Sequence, residues 1–199
     1  MEKGYSKKIF TAKMFFADFG FLIWHLPQLV KVFTNKKIEK LIGKILIVTD
    51  AVNECMYCSW LDAKLAIKNG ISEEEVKNMM NLEFQTSVSN YEWPALIFAQ
   101  DFAENNRKAD VEMLKTLTSH YGEKTTKDIL LAIRAVIFGN LYFNTWGAFL
   151  SRLKGKPAPN SNLIFELVYF ICNFVIIIPF VVLRKLDRNA IGLSGKNGD

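Results

Sequence analysis

Residues 163–183, LIFELVYFICNFVIIIPFVVL, form a continuous apolar run of 21 residues in which Glu166 is the single charge. As a helix the run extends roughly 31 Å, near the hydrocarbon thickness of a bilayer. It is apolar on every side, whereas a helix packed on a globular surface shows one stripe. The run must therefore enter lipid or be covered by protein, as a core helix or an oligomer interface. Length, all-round apolarity and cationic termination at Arg184–Lys185 favour lipid, and the cost of the three exceptions in the run is limited. Glu166 lies near one end, within reach of the interface, Pro179 is tolerated in a membrane helix, and Asn173 can pair across an oligomer. Arg184, Lys185 and Arg188 follow at once, while Arg152, Lys154 and Lys156 flank the other end, so charge does not orient the segment. Lys154–Ser161, rich in Pro, Gly and charge, reads as the one linker.

The rest of the chain repeats apolar residues at helical spacing, with no strand candidate of weight and no internal repeat. Residues 14–33 carry Phe15, Phe16, Phe19, Leu22, Ile23, Leu26, Leu29, Val30 and Phe33, with a kink expected at Pro27. Its aromatic content and flanking Lys13 and Lys31 also suit an interfacial helix. The basic start and apolar stretch imitate a signal peptide, but Lys13, Asp18 and His25 interrupt it and no small-residue cleavage site follows. The first twelve residues read as a frayed lead-in. An amphipathic helix is expected over 36–53, a second over 55–69 ending at Asn69–Gly70, and a short one opened by the Ser72/Glu75 capping box. A loop over 81–91 precedes a helix over 93–105 with Pro94 in its first turn. Asp110 caps a helix reaching Tyr121–Gly122, and Thr125 or Thr126 is expected to cap a long helix over 127–152. The expected class is all-α, divided into an aromatic N-terminal segment (1–35), a helical domain (36–155), and a linker with a hydrophobic helix and polar tail (156–199).

Chemistry concentrates in Asp50-Ala-Val-Asn-Glu-Cys-Met-Tyr-Cys-Ser-Trp-Leu-Asp62. The chain has three cysteines, and Cys55 and Cys58 form a CxxC. Three cysteines in 199 residues do not make a disulfide scaffold. With no second CxxC, and His25 and His120 distant, there is no zinc-site spacing, and no metal or cofactor is expected. A lone CxxC reads as a redox dithiol. With Asn53 as the expected N-cap, both sulfurs fall in the first turns of a helix, where unpaired backbone N–H groups favour the thiolate. One can attack a substrate and the other resolve the intermediate. Asp62 is one turn beyond Cys58 on the same side, able to relay a proton or to raise the thiol pKa by repulsion. Trp60 and Tyr57 are candidates to line a small apolar pocket. The net charge of +5 is mild, and nucleic acid is not expected as a partner.

Asn53, Cys55, Tyr57, Cys58, Gly70 and Ser72-Glu73-Glu74-Glu75 together resemble the central motif of the carboxymuconolactone decarboxylase and alkylhydroperoxidase D superfamily. The likeness continues through Trp93–Ala99 to a long helix holding Ile133, Phe138, Asn140 and Asn144, covering about 36–155. It implies an alkylhydroperoxidase D-like helical domain, here with an extra C-terminal hydrophobic helix, that oligomerises through its helices. It also implies thiol peroxidase chemistry, with Cys58 attacking peroxide and Cys55 resolving, whereas thioredoxin-like logic makes Cys55 the nucleophile. The chain departs from the pattern at the proton relay. The histidine after the CxxC is Asp62, the one between the cysteines is Tyr57, and the glutamate twelve residues before the first cysteine is Gly43. Asp62, Glu54 and Asp50 are the candidate replacements. The resulting expectation is an oxidoreductase that reduces a hydroperoxide or exchanges a disulfide, recharged by a thiol reductant, on the cytoplasmic side of a membrane or soluble in the cytoplasm. The alternative is a non-catalytic membrane-associated module that keeps the fold.

Overall fold

The computed structural model describes residues 5–159 and 161–186. The polar tail expected after residue 186 lies outside the described residues. Eight helices follow in chain order: α1 (Ala12–Trp24), α2 (Leu26–Phe33), α3 (Glu39–Val52), α4 (Met56–Lys68), α5 (Glu73–Met80), α6 (Trp93–Glu104), α7 (Val111–Leu153) and α8 (Leu163–Leu186). Among the described residues there is no strand, so the all-α expectation holds.

The boundaries follow local chemistry. Thr11 caps α1 by accepting from the Met14 N–H. The expected kink at Pro27 is a full break at His25. Pro27 then sits in the first turn of α2, where its missing N–H costs nothing. Ser72 caps α5, accepting from the Glu75 N–H at 3.2 Å, and Glu73, Glu74 and Glu75 complement the helix dipole. Asp110 caps α7 through the Met113 N–H at 2.9 Å. Neither Thr125 nor Thr126 opens a new helix. The backbone leaves helical geometry at Gly122 (φ 77°, ψ 161°), the helix resumes directly after it, and the Thr126 hydroxyl is buried inside.

Helix α3 is central, packing against α4, α5, α6 and α7. Ile45, Ile47 and Val48 of α3, Leu96 and Phe98 of α6, and Ile129 and Ile133 of α7 are sealed from solvent. Each such side chain contributes about 1.5–3 kcal/mol. The buried Lys44 ammonium is held between Glu75 and Glu92, joining α3, α5 and the start of α6. Helix α7 is long and apolar enough to cross a membrane by length and composition, and its apolar stretch is 61% buried within the fold.

Residues 5–10 of the lead-in are fastened, not frayed. The Tyr5 hydroxyl donates to the Asn144 carbonyl at 2.5 Å, Lys7 donates to the Glu54 carbonyl at 2.8 Å, and the Phe10 N–H donates to the Thr145 hydroxyl at 2.9 Å. Gly147 makes this possible, because a Cβ there would stand 2.9 Å from the Tyr5 hydroxyl.

Helix α8 returns antiparallel along α7. Glu166 does not reach an interface. It is buried and paired with Arg152 at 2.6 Å. Asn173 does not wait for a second copy, since the Tyr142 hydroxyl donates to its side-chain oxygen at 2.5 Å. Phe170 stacks on Trp146 with ring centroids 3.9 Å apart. The run is also not straight. Its segments Leu163–Phe174 and Ile176–Arg184 are bent by 67°. Pro179 explains the position, because it lacks the N–H that would bond residue 175 and its ring crowds that carbonyl. The outward residues of the first segment, Ile164, Leu167, Val168 and Ile171, remain exposed. Phe16, Phe19, Ile23 and Trp24 of α1 are exposed too, Trp24 at 84%. Phe15 ties these two helices together, meeting Tyr169 at 5.4 Å and Phe165 at 6.4 Å.

Candidate active site

The α3–α4 junction reverses the chain in three residues. Asn53 closes α3 as its C-cap and does not open α4. Glu54 takes a left-handed conformation (φ 52°), which a non-glycine residue adopts at some cost. Its carbonyl accepts from Lys7, and its side chain is exposed, so the fold uses the backbone of Glu54 at this corner. Cys55 is the N-cap of α4. Its sulfur accepts from the Cys58 N–H at 3.4 Å, in place of the oxygen a serine or aspartate supplies.

Cys55 and Cys58 are joined as a disulfide, with Cα atoms 5.3 Å apart. The two sulfurs occupy different surroundings. Both cysteines are buried, Cys55 at 0% and Cys58 at 8% exposed, so Cys58 is the less enclosed of the two. On reduction, the helix N-terminus and the Cys58 N–H favour the thiolate at Cys55.

Beneath the pair lies a polar network buried among apolar helices. The Asn144 side chain donates to the Asn53 carbonyl at 2.8 Å. Asn53 donates to Asn140 at 2.9 Å, and Asn140 donates to Asp50 at 2.6 Å. The other oxygen of Asp50 is buried with no donor from the protein. The Asp62 carboxyl, which α4 places one turn after Cys58, lies close enough to Asp50 to act on its ionisation. Two neighbouring carboxyls repel when both are ionised, which favours keeping a proton on one of them. Burial raises the pKa of Asp50 well above the carboxylate range, and the adjacent Asp62 raises it further, against the opposing bond from Asn140. Burial pushes Asp62 up to about 6, against an opposing interaction with Asp50. The two form a carboxylic acid–carboxylate pair that titrates as a unit.

The sequence candidates thus divide. Asp50, Cys55, Cys58 and Asp62 assemble across the α3–α4 corner, while Glu54 turns its carboxylate to solvent. Sequence reading did not assign Asn140 and Asn144 to this site. Their signal was two asparagines four residues apart amid the apolar positions of a long helix, because buried amides need partners. Tyr57 packs against Phe143 at 5.5 Å, and with Met56 it lines a cleft beside the cysteine turn. Trp60 is not among the residues lining that cleft. His25 packs on Phe21 and His120 meets Tyr121 edge to face, so both are engaged in aromatic contacts. Among the described residues no three of His, Cys, Asp and Glu converge as a metal-ligand set. The fold and site define an all-helical protein with a dithiol pair set over a buried carboxyl pair. Comparison with known protein families, with curated proteins and with solved structures finds no match.

Proposed function

We propose that the chain is a thiol oxidoreductase of the alkylhydroperoxidase D-like kind, whose Cys55–Cys58 dithiol reduces a hydroperoxide and is recharged by an external thiol. The observation that carries this reading is the closed cysteine pair at the start of α4, with Asp62 one turn beyond it and electrostatically coupled to the buried Asp50. A merely structural bridge has no use for a protonated carboxyl pair at its base.

Two thiols and one hydroperoxide give one disulfide, one alcohol and one water; the two protons that the thiols release to solvent on ionising return, the first through the Asp50–Asp62 pair and the second from solvent. The Cys58 thiolate attacks the terminal oxygen of R–O–O–H, forming an S–O bond and breaking the O–O bond. The alkoxide leaves with a proton from the Asp50–Asp62 pair, as alcohol. The Cys55 thiolate then attacks Cys58, the S–S bond forms, and hydroxide leaves as water on taking a second proton. The dithiol has lost two electrons to the peroxide. A reductant thiolate attacks the less enclosed Cys58 sulfur, and Cys55 departs as the thiolate that its capping position stabilises. This order agrees with the lesser enclosure of Cys58 and assigns Cys55 the resolving role. The missing histidine of the family pattern is replaced by a carboxyl pair that holds a proton toward neutral pH. Disulfide exchange with a partner uses the same second half-reaction.

The same reading places the protein on a membrane surface. The bend at Pro179 and the buried Arg152–Glu166 pair argue for α8 lying at the interface and against a straight span. The exposed apolar residues of α1 and α8, joined at Phe15 and bordered by Lys13 and Lys31, fit an anionic bilayer. Flotation with anionic vesicles tests this. A chain that stays below the vesicles as a monodisperse oligomer assigns the same face to a second copy.

The redox reading is tested by the alkylation rate of each cysteine against pH in the reduced chain, with and without hydroperoxide. Cys58 is expected to react faster with alkylating reagent, and peroxide is expected to protect both cysteines at once. Two thiols that remain freely alkylated at saturating peroxide refute it, and leave the non-catalytic module.

A further inference from the structure

Beside the cysteine turn, between the start of α4 and the last third of α7, lies a cleft of about 220 Å³. That is the liquid volume of about seven waters, room for a small organic molecule and not for a whole lipid. Its lining combines aromatic rings, neutral polar groups (Tyr5, Asn144 and Ser151) and lysines. Tyr57 and Phe143 line one side. Trp146, 4% exposed, lines the other, and its indole N–H is buried with no acceptor in the protein. A buried donor left unpaired costs about 1–3 kcal/mol, which a ligand oxygen would recover. Lys7 and Lys154 also line the cleft, and no acidic residue does. Arg184 adds a third cation, its guanidinium 5.1 Å from the Tyr57 ring centroid. Burial lowers the pKa of the Lys7 ammonium, nearby Glu54 opposes this, and Arg184 lowers it further. Positive charge has been gathered at an aromatic slot without a matching carboxylate in its wall.

We propose that this cleft is the substrate site of the dithiol and that it takes a small amphipathic acid bearing a hydroperoxide. The anionic group is held by the Trp146 indole N–H, Lys7 and Lys154, and the apolar portion lies against Tyr57 and Phe143, on the side of the cysteine turn. This inference rests on the redox reading for its chemistry but not for its binding. Met56 and Tyr57, the two residues between the cysteines, are part of the cleft, which sets a molecule seated there against the turn that carries the cysteine pair.

The test is equilibrium binding to the oxidised full chain in a non-ionic detergent, against a detergent blank. The probes are hexanoate and 1-hexanol, followed by indole fluorescence and calorimetry. Hexanoate is expected to bind at least about tenfold more tightly than hexanol, the range of a hydrogen bond to a charged group. Lys7→Ala with Lys154→Ala should bring hexanoate to the level of hexanol. Trp146→Phe, which keeps the ring stacking, should weaken hexanoate about fivefold. Leu150→Trp narrows the cleft while keeping Trp146, and should abolish binding even if Trp146→Phe does not fold. Equal binding of the two probes, or hexanoate binding untouched by the lysine pair or by Leu150→Trp, overturns the assignment. Hexanoate bound as described, with no peroxide-driven oxidation of the cysteines, overturns the redox reading and leaves the cleft. Oxidation intact with no selective binding does the reverse.

Discussion

The Asp50–Asp62 pair makes a prediction about stability that is independent of activity. Asp62 holds its proton to about pH 6 in the fold, against 3.8 for an ordinary carboxyl. Between those values the folded chain binds a proton that the unfolded chain has released, so the stability of the fold falls as pH rises through the window. At 1.36 kcal/mol per pH unit, the loss attributable to Asp62 is about 3 kcal/mol, complete by about pH 6. Burial of Asp62 on α4 sets this shift against an opposing interaction with Asp50 from α3, which is itself held by the neutral Asn140 from α7. Asp62→Asn removes the titrating proton and relieves Asp50 of a like charge. Urea unfolding of the full chain in non-ionic detergent, followed by circular dichroism at pH 4, 5, 6 and 7, isolates the effect as wild type minus variant. The variant should gain on the wild type by about 2–3 kcal/mol between pH 4 and pH 7. A difference that stays constant across this range, or changes in the opposite sense, refutes the shared proton and the relay built on it.

Three further outcomes are expected. Gly147→Ala should displace the Tyr5 hydroxyl from its 2.9 Å approach and loosen the N-terminal strap. The cost should be about 1–3 kcal/mol in urea unfolding, with faster amide exchange over residues 5–10. Arg152→Ala should lower the unfolding midpoint by stranding the buried Glu166, and Arg152→Met with Glu166→Gln should recover most of it; equal midpoints for the two variants would show the pair to be solvated. Phe16→Ser with Trp24→Ser should reduce flotation with anionic vesicles at least tenfold and leave helicity unchanged, and undiminished flotation would remove α1 from the membrane face.

Much of the helical order was legible because it is local. Ser72, Asp110 and Pro94 mark helix starts by side-chain chemistry alone, and Asn69–Gly70 marks an end. The junction at Asn53 was misread for a local reason. Asparagine caps either end of a helix, and only the left-handed turn at Glu54 shows that Cys55 itself opens α4. The candidate site was legible as a list but not as an assembly. Asp50 and Asp62 lie on different helices, and no spacing rule brings their carboxyls together. Asn140 and Asn144 needed the crossing of α3 and α7 to find their partners. The apolar run of α8 was misjudged in its polar exceptions. Glu166 and Asn173 looked like costs to be moderated in lipid, whereas Arg152 and Tyr142 satisfy both within the chain. The bend came from Pro179, whose effect on residue 175 is as strong here as in a soluble helix.

The central claim is that Cys55 and Cys58 are a working dithiol. The most direct measurement adds one equivalent of an organic hydroperoxide to the fully reduced full chain at pH 7, then maps the cysteines by mass spectrometry and quantifies the alcohol formed. The account predicts one intramolecular Cys55–Cys58 disulfide per alcohol released, no disulfide in Cys58→Ser, and a trapped sulfenic acid on Cys58 in Cys55→Ser. Reduced cysteines after complete mixing with excess hydroperoxide, or an oxidation confined to Cys172, would contradict it.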